Sequence, residues 1–172
     1  MSHHRLARIA LVLLASMSAA PVASSRPVPK TTGPRSCQPV NGTFTNVFLT
    51  GAAQCPASPV DECTLGQLAG DLVGLYAFTF LTDSPVGADS APVAHFTGQS
   101  HVTLATGSIT GHDFGSLRTT AYPLAAFTTH LRIAAGTGVF ANASGHLTIQ
   151  GLASFITGHG SGTYFGQICV PK

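Results

Sequence analysis

The sequence predicts an all-β fold, a sandwich or a closed barrel of about eight strands, on three observations. The stretch from His130 to Val170 holds three alternating segments joined by glycine-marked turns and contains no Asp or Glu. Short alternating segments closed by glycine recur along the chain from residue 42 onward. No helical period follows the N-terminal segment. Closure into a barrel is the expected arrangement, because it removes the unpaired edges that make open sheets aggregate.

Residues 1–25 carry His3, His4, Arg5 and Arg8, then an apolar run over 9–20, then Pro21-Val22-Ala23-Ser24-Ser25. That is the layout of a secretory signal peptide. The run is shorter than the roughly 20 residues a bilayer-spanning helix needs, so cleavage near Ala23 to Ser25 is expected. Cys37 follows Gly33-Pro34-Arg35-Ser36 and not a lipobox. A secreted, extracellular protein with no membrane partner after signal removal is therefore expected, not a lipoprotein. Residues 26–36, with Pro27, Pro29, Lys30, Gly33 and Pro34, read as a disordered leader, and residues 37–172 as one barrel domain.

The first strand is read over 42–50, ended by Gly51, with a cysteine loop after it. Gly66, Gly70 and Gly74 punctuate the approach to a second strand at 75–82. There Leu75, Ala77 and Leu81 oppose Tyr76, Phe78 and Phe80, so both faces are apolar, which suits an outer face covered by loops or a partner subunit. Residues 83–92 read as a loop rich in Pro, Gly, Asp and Ser. A third strand spans 93–104, with a bulge expected at Gly98. Its residues His95, Thr97, Gln99, His101 and Thr103 share one face, and Phe96, Val102 and Leu104 the other. Gly107 turns the chain into 108–113, Gly115 turns it again, 118–122 is a further short strand, and 124–135 leads into the final run. In that run Leu147 and Ile149 oppose His146, Thr148 and Gln150, and the segment 163–170 is expected to close the barrel.

A chain of 172 residues with 44% hydrophobic residues is one domain able to bury its own core. The formal charge of +2 comes from Arg5 and Arg8 within the signal segment, so the mature chain is near neutral. Between Cys37 and Val170 the fixed cations are Arg118 and Arg132. A nucleic-acid partner, which needs clustered Lys or Arg against phosphates, is excluded on that ground. Cys37, Cys55, Cys63 and Cys169 lie in an exported region, where disulfides are the first reading and metal ligation the second. Three pairings are open. The short Cys55 to Cys63 loop, with Pro56 and Pro59 inside it, favours a local bridge, and that choice leaves Cys37 with Cys169.

The stretch Ala135-Gly136-Thr137-Gly138-Val139-Phe140-Ala141-Asn142-Ala143-Ser144-Gly145, followed by alternation and then Gly162-Thr163-Tyr164-Phe165-Gly166, resembles the allene oxide cyclase and dirigent barrel superfamily. There a Gly-x-Gly-x-Phe-x-x-Ala-x-Gly turn joins late strands of an eight-stranded antiparallel barrel. The resemblance covers residues 130–170 closely and the rest by strand count. It implies a calycin-like barrel with an apolar interior, a tendency to form homo-oligomers, and a family holding both isomerising or coupling proteins and members without assigned activity. The ionisable groups that work inside those barrels do not map onto this chain.

Gly136-x-Gly138-x-x-Ala141 imitates a dinucleotide fingerprint, but Asn142 to Gly145 is a turn and no acid follows Asp113, so no nucleotide and no other cofactor is expected. His95, His101, His112, His130, His146 and His159 form no paired-ligand motif. On one strand, His95 and His101 stand about 20 Å apart at 3.3 Å per residue, so no metal is expected. A Gly-x-Ser-x-Gly elbow is absent. Glu62 adjoins Cys63, and Asp83 and Asp89 suit solvated turns. Asn41-Gly42-Thr43 and Asn142-Ala143-Ser144 fit the glycosylation pattern, relevant only in a glycosylating host.

The candidate catalytic set is His112, Asp113 and Arg118, a proton carrier, an anion and a cation close in sequence. The candidate apolar ligand site is Phe44, Phe48, Phe78, Phe80, Phe96 and Phe127. Three readings compete. The leading one is a secreted, disulfide-stabilised barrel without assignable catalysis that holds a small apolar ligand. The second is a cyclase, isomerase or dirigent-type stereo-directing enzyme acting on a lipid or phenolic intermediate, which a buried Asp113 or Arg132 facing an apolar cavity favours. The third is a structural or interaction protein whose interior is filled by its own side chains. An outer-membrane barrel ranks below these, because Trp is absent and the outward faces carry hydroxyls.

Overall fold

The computed structural model describes residues 33–86 and 93–172. The signal segment, most of the leader and part of the 83–92 loop lie outside the described residues. The chain forms eight strands: β1 (Arg35–Thr50), β2 (Glu62–Gly70), β3 (Gly74–Val86), β4 (Val93–Leu104), β5 (Gly107–Ala121), β6 (Leu124–Gly136), β7 (Ser144–Ser154) and β8 (His159–Pro171), with a 3₁₀ turn at Gly138–Phe140. Each pairs antiparallel with the next, and β8 pairs with β1. The result is a closed up-and-down barrel, so every strand edge finds a ladder partner.

Alternation explains which side chains enter the barrel. On β4, Phe96, Ser100 and Val102 are buried while His95, Thr97, Gln99, His101 and Thr103, the polar face read from the sequence, are exposed. β3 sends Tyr76, Phe78 and Phe80 inward; Leu75, on its outer face, is 59% exposed. At one end, which carries the β2–β3, β4–β5 and β6–β7 connections, Leu72, Val102, Ile109, Leu131, Ile133, Leu147, Tyr164 and Ile168 pack into an aliphatic plug. The Tyr164 hydroxyl locks this end. It accepts from the Leu72 amide at 2.8 Å and lies 3.2 Å from the Ala69 and Leu72 carbonyl oxygens, so a buried phenol is satisfied by the β2–β3 turn.

The opposite half is aromatic. Phe44 contacts Tyr76 and Phe127, and Phe78, Phe80 and Phe96 contact one another, with Phe48 against Phe80. The rings fit because neighbouring strands put glycine beneath them. A Cβ on Gly115 would lie 2.5 Å from Phe96 Cζ, one on Gly151 would lie 3.0 Å from Phe44 Cζ, and ones on Gly66 and Gly98 would strike the Tyr76 and Phe78 rings. The β1–β2 loop folds over this end, tied down where the buried Ser58 hydroxyl donates to the Phe80 carbonyl at 2.8 Å.

Both disulfides pair as the short-loop choice requires, Cys55 with Cys63 and Cys37 with Cys169. The second joins directly opposed residues of β1 and β8.

Five sequence expectations are corrected. Gly66 lies within β2 and is not mere punctuation, and Gly115 continues β5 where a turn is expected, because each is needed under a ring rather than at a bend; Gly70 does end β2, at a φ of 108°. The bulge falls between Phe80 and Thr82 on β3, across from Gly98; Gly98 itself stays in register because its missing side chain makes room for Phe78. Residues 83–86 extend β3 by pairing with β4 and are not loop. β1 begins at Arg35, inside the expected leader, where its guanidinium donates to the Asn142 carbonyl at 3.0 Å and the Ser144 hydroxyl at 2.9 Å.

Candidate functional site

The inward residues of β5 run Ile109, Gly111, Asp113, Gly115 and Leu117, placing one carboxyl where the aliphatic plug meets the aromatic half. Across the ladders Asp113 stands opposite Gly98 on β4 and Leu131 on β6. Its residue is 4% exposed, and neither carboxyl oxygen has a hydrogen-bond partner. Thr129, the nearby inward hydroxyl of β6, donates to the Phe114 carbonyl instead. Burial disfavours the charged form and pushes the Asp113 carboxyl up to about 7, with the Ser100 hydroxyl and amide close enough to pull it back only in part. At neutral pH this is a group poised to give or take a proton.

The expected catalytic set does not assemble. His112 is exposed on the outer face, because adjacent strand residues point to opposite sides, and Arg118 is exposed toward the end of the same strand. Asp113 alone enters the barrel. Arg132, the other residue considered for an inward role, is also exposed. The six candidate ligand-site phenylalanines do come together in the aromatic half. Phe44, Phe78 and Phe96 are buried, and Phe48, 37% exposed, is the most accessible at the mouth.

Sequence reasoning missed Tyr76 as a polar group. It lies inward beside Asn46 and Thr64, and burial pushes its phenol up to about 12 while those two side chains pull it partly back. The signal was available, since Tyr76 shares parity with Phe78 and Phe80. The Glu62 carboxyl is raised by partial burial, with the nearby Asp83 raising it further. Among the described residues no three His, Cys, Asp or Glu side chains converge on one point.

Fold and site together define a closed eight-stranded antiparallel barrel, cross-linked by two disulfides, with one unpartnered carboxyl in an apolar interior. No family model and no curated protein matches the chain. Among solved structures it is similar to the pterocarpan synthase dirigent protein GePTS1, at 17% identity and a TM-score of 0.33, over 87% of this chain and 99% of that one. The fold assignment stands on the ladder registers of the barrel itself.

Proposed function

We propose that this chain is an exported stereo-directing or isomerising barrel, in which Asp113 exchanges a proton with a small apolar intermediate, lipid or phenolic, admitted past Phe48 and Phe80. The carrying observation is the unpartnered, buried Asp113 carboxyl. Buried polar groups without partners cost about 1–3 kcal/mol each, a cost that the nearby Ser100 hydroxyl and amide offset only in part. A carboxyl near neutrality can protonate a developing oxyanion and accept a proton from a neighbouring carbon, so an isomerisation closes without any oxidant or reductant. The aromatic rings supply shape, which selects one closing geometry. The two disulfides and the signal-like leader support an extracellular setting.

A second reading, a barrel filled by its own side chains, is favoured by the seating of Phe44, Phe78 and Phe96 on glycines of neighbouring strands. The experiment that separates the two is a carboxyl-carbon NMR titration of ¹³C-aspartate-labelled protein, with and without the neutral apolar fluorophore N-phenyl-1-naphthylamine. A resonance titrating near neutrality, missing in Asp113→Asn and displaced by the fluorophore, is expected. A fluorophore that gains no emission and leaves that titration unmoved favours the filled barrel.

A further inference from the structure

The outer surface carries a feature unrelated to Asp113. Ladder registers align one row of side chains across five strands: Gln99 opposite His112, His112 opposite Arg132, Arg132 opposite His146, and His146 opposite Gln167. All five are exposed. Directly opposed residues hold their Cβ atoms about 5 Å apart, so Arg132 sits between two imidazoles. Its other neighbours by register and along the strand, Thr110, Phe114, His130, Ala134, Ser144 and Thr148, include no carboxylate. The chain has no Asp or Glu after Asp113, whose own side chain is buried inside the barrel. Among the described residues the row is thus a basic strip with no carboxylate beside Arg132.

An aromatic row runs beside it. Phe114 is 61% exposed and lies against the His130 ring, centroids 5.1 Å apart. His130 Nδ1 meets the Thr148 hydroxyl at 3.2 Å, which fixes the ring, and exposed Phe165 stands opposite Thr148. At the β4 end of the basic row a groove of about 390 Å³, lined by Thr79, Gln99, His101, Thr110 and His112 among others, opens on the same face. That size falls in the range of small-ligand sites.

We propose that this face binds an extended anionic polysaccharide, a chain of carboxylate-bearing sugars. The guanidinium fork of Arg132 matches a carboxylate, and the flanking imidazoles add donors. Exposed Phe114 and Phe165 offer flat apolar surface to the C–H faces of pyranose rings. Gln99, Gln167 and the groove threonines supply donors and acceptors for sugar hydroxyls. A phosphodiester backbone is a poorer fit, because one fixed cation cannot neutralise a run of phosphates. An acidic peptide would use the charge and leave the aromatic row idle.

The test is binding of the full, oxidised chain to immobilised polygalacturonate at low ionic strength, with polyglutamate and fully methyl-esterified polygalacturonate as comparisons. Arg132→Gln, a surface change, is expected to weaken binding by about tenfold, and Phe114→Ala by about threefold, with thermal melting unchanged in both. No binding to polygalacturonate, equal binding by Arg132→Gln, or equal binding of the esterified polymer overturns the proposal. Polyglutamate bound as tightly as the sugar polymer overturns it as well, since charge alone would then account for the surface.

Discussion

Asp113 couples folding to pH in a direction opposite to that of an ion-paired carboxylate. Burial raises its folded value to about 7 from the ordinary 3.8 of an aspartate, so between those two pH values the folded chain binds a proton that the unfolded chain has released. The stability that Asp113 contributes is therefore greatest below pH 4, falls as pH rises toward 7, and levels off above it. A difference of that size between folded and unfolded carboxyl corresponds to a loss across the window on the order of 4 kcal/mol. Asp113→Asn keeps the shape and cannot ionise. Urea unfolding at pH 4 and pH 8 is expected to show a wild-type stability that drops with pH and a variant stability that does not, leaving the variant the more stable at pH 8. A wild-type profile flat from pH 4 to 8 would mean that the carboxyl is hydrated or paired in solution.

At the scale of the element, strands are cut to fit by glycines that seat rings. Gly115 on β5 is the clearest case, since a Cβ there would lie 2.5 Å from Phe96 Cζ and 2.6 Å from the Thr128 carbonyl oxygen. Gly115→Ala is expected to cost about 1–3 kcal/mol through overpacking, read from the urea midpoint. Adding Phe96→Val should recover part of the loss, a coupling of about 0.5 kcal/mol or more in a double-mutant cycle; strictly additive effects would show that the backbone contact alone sets the cost. The same residue explains what sequence could and could not convey. Alternation is local, so the inward set Phe96, Val102, Leu131 and Leu147 was legible from period two. A glycine has two uses, bend or ring seat, and which applies at Gly115 depends on Phe96 in the neighbouring strand. His112 and Asp113 illustrate the opposite case: closeness in sequence suggested a shared site, while strand parity, equally local, puts them on opposite sides of the wall. The row from Gln99 to Gln167 was illegible for a third reason, because it exists only once five strands are in register.

For the whole molecule the decisive event is closure of β1 on β8, the most distant pairing in the chain and the one that removes the last free edges. Arg35 reinforces that seam from β1 through Asn142 and Ser144, and the Cys37–Cys169 bridge makes it covalent. The two bridges should differ in weight because they close loops of very different length, 132 residues of separation against 8. Chain entropy alone assigns about 5 kcal/mol to the long loop and about 2.5 kcal/mol to the short one. The Cys55–Cys63 bridge has a local task, holding the loop whose Ser58 bonds the Phe80 carbonyl at the β3 bulge by the aromatic mouth. Replacing Cys37 and Cys169 together by alanine is therefore expected to lower global stability by more than replacing Cys55 and Cys63. The second pair of changes should act mainly on the mouth, seen as faster amide exchange at Val60 and Glu62, whose amides bond to the Ser58 hydroxyl. Equal losses in guanidinium denaturation, or a larger loss from the short-loop variant, would show that the ladder holds the seam without the long bridge, and that the aromatic mouth rather than the seam limits stability.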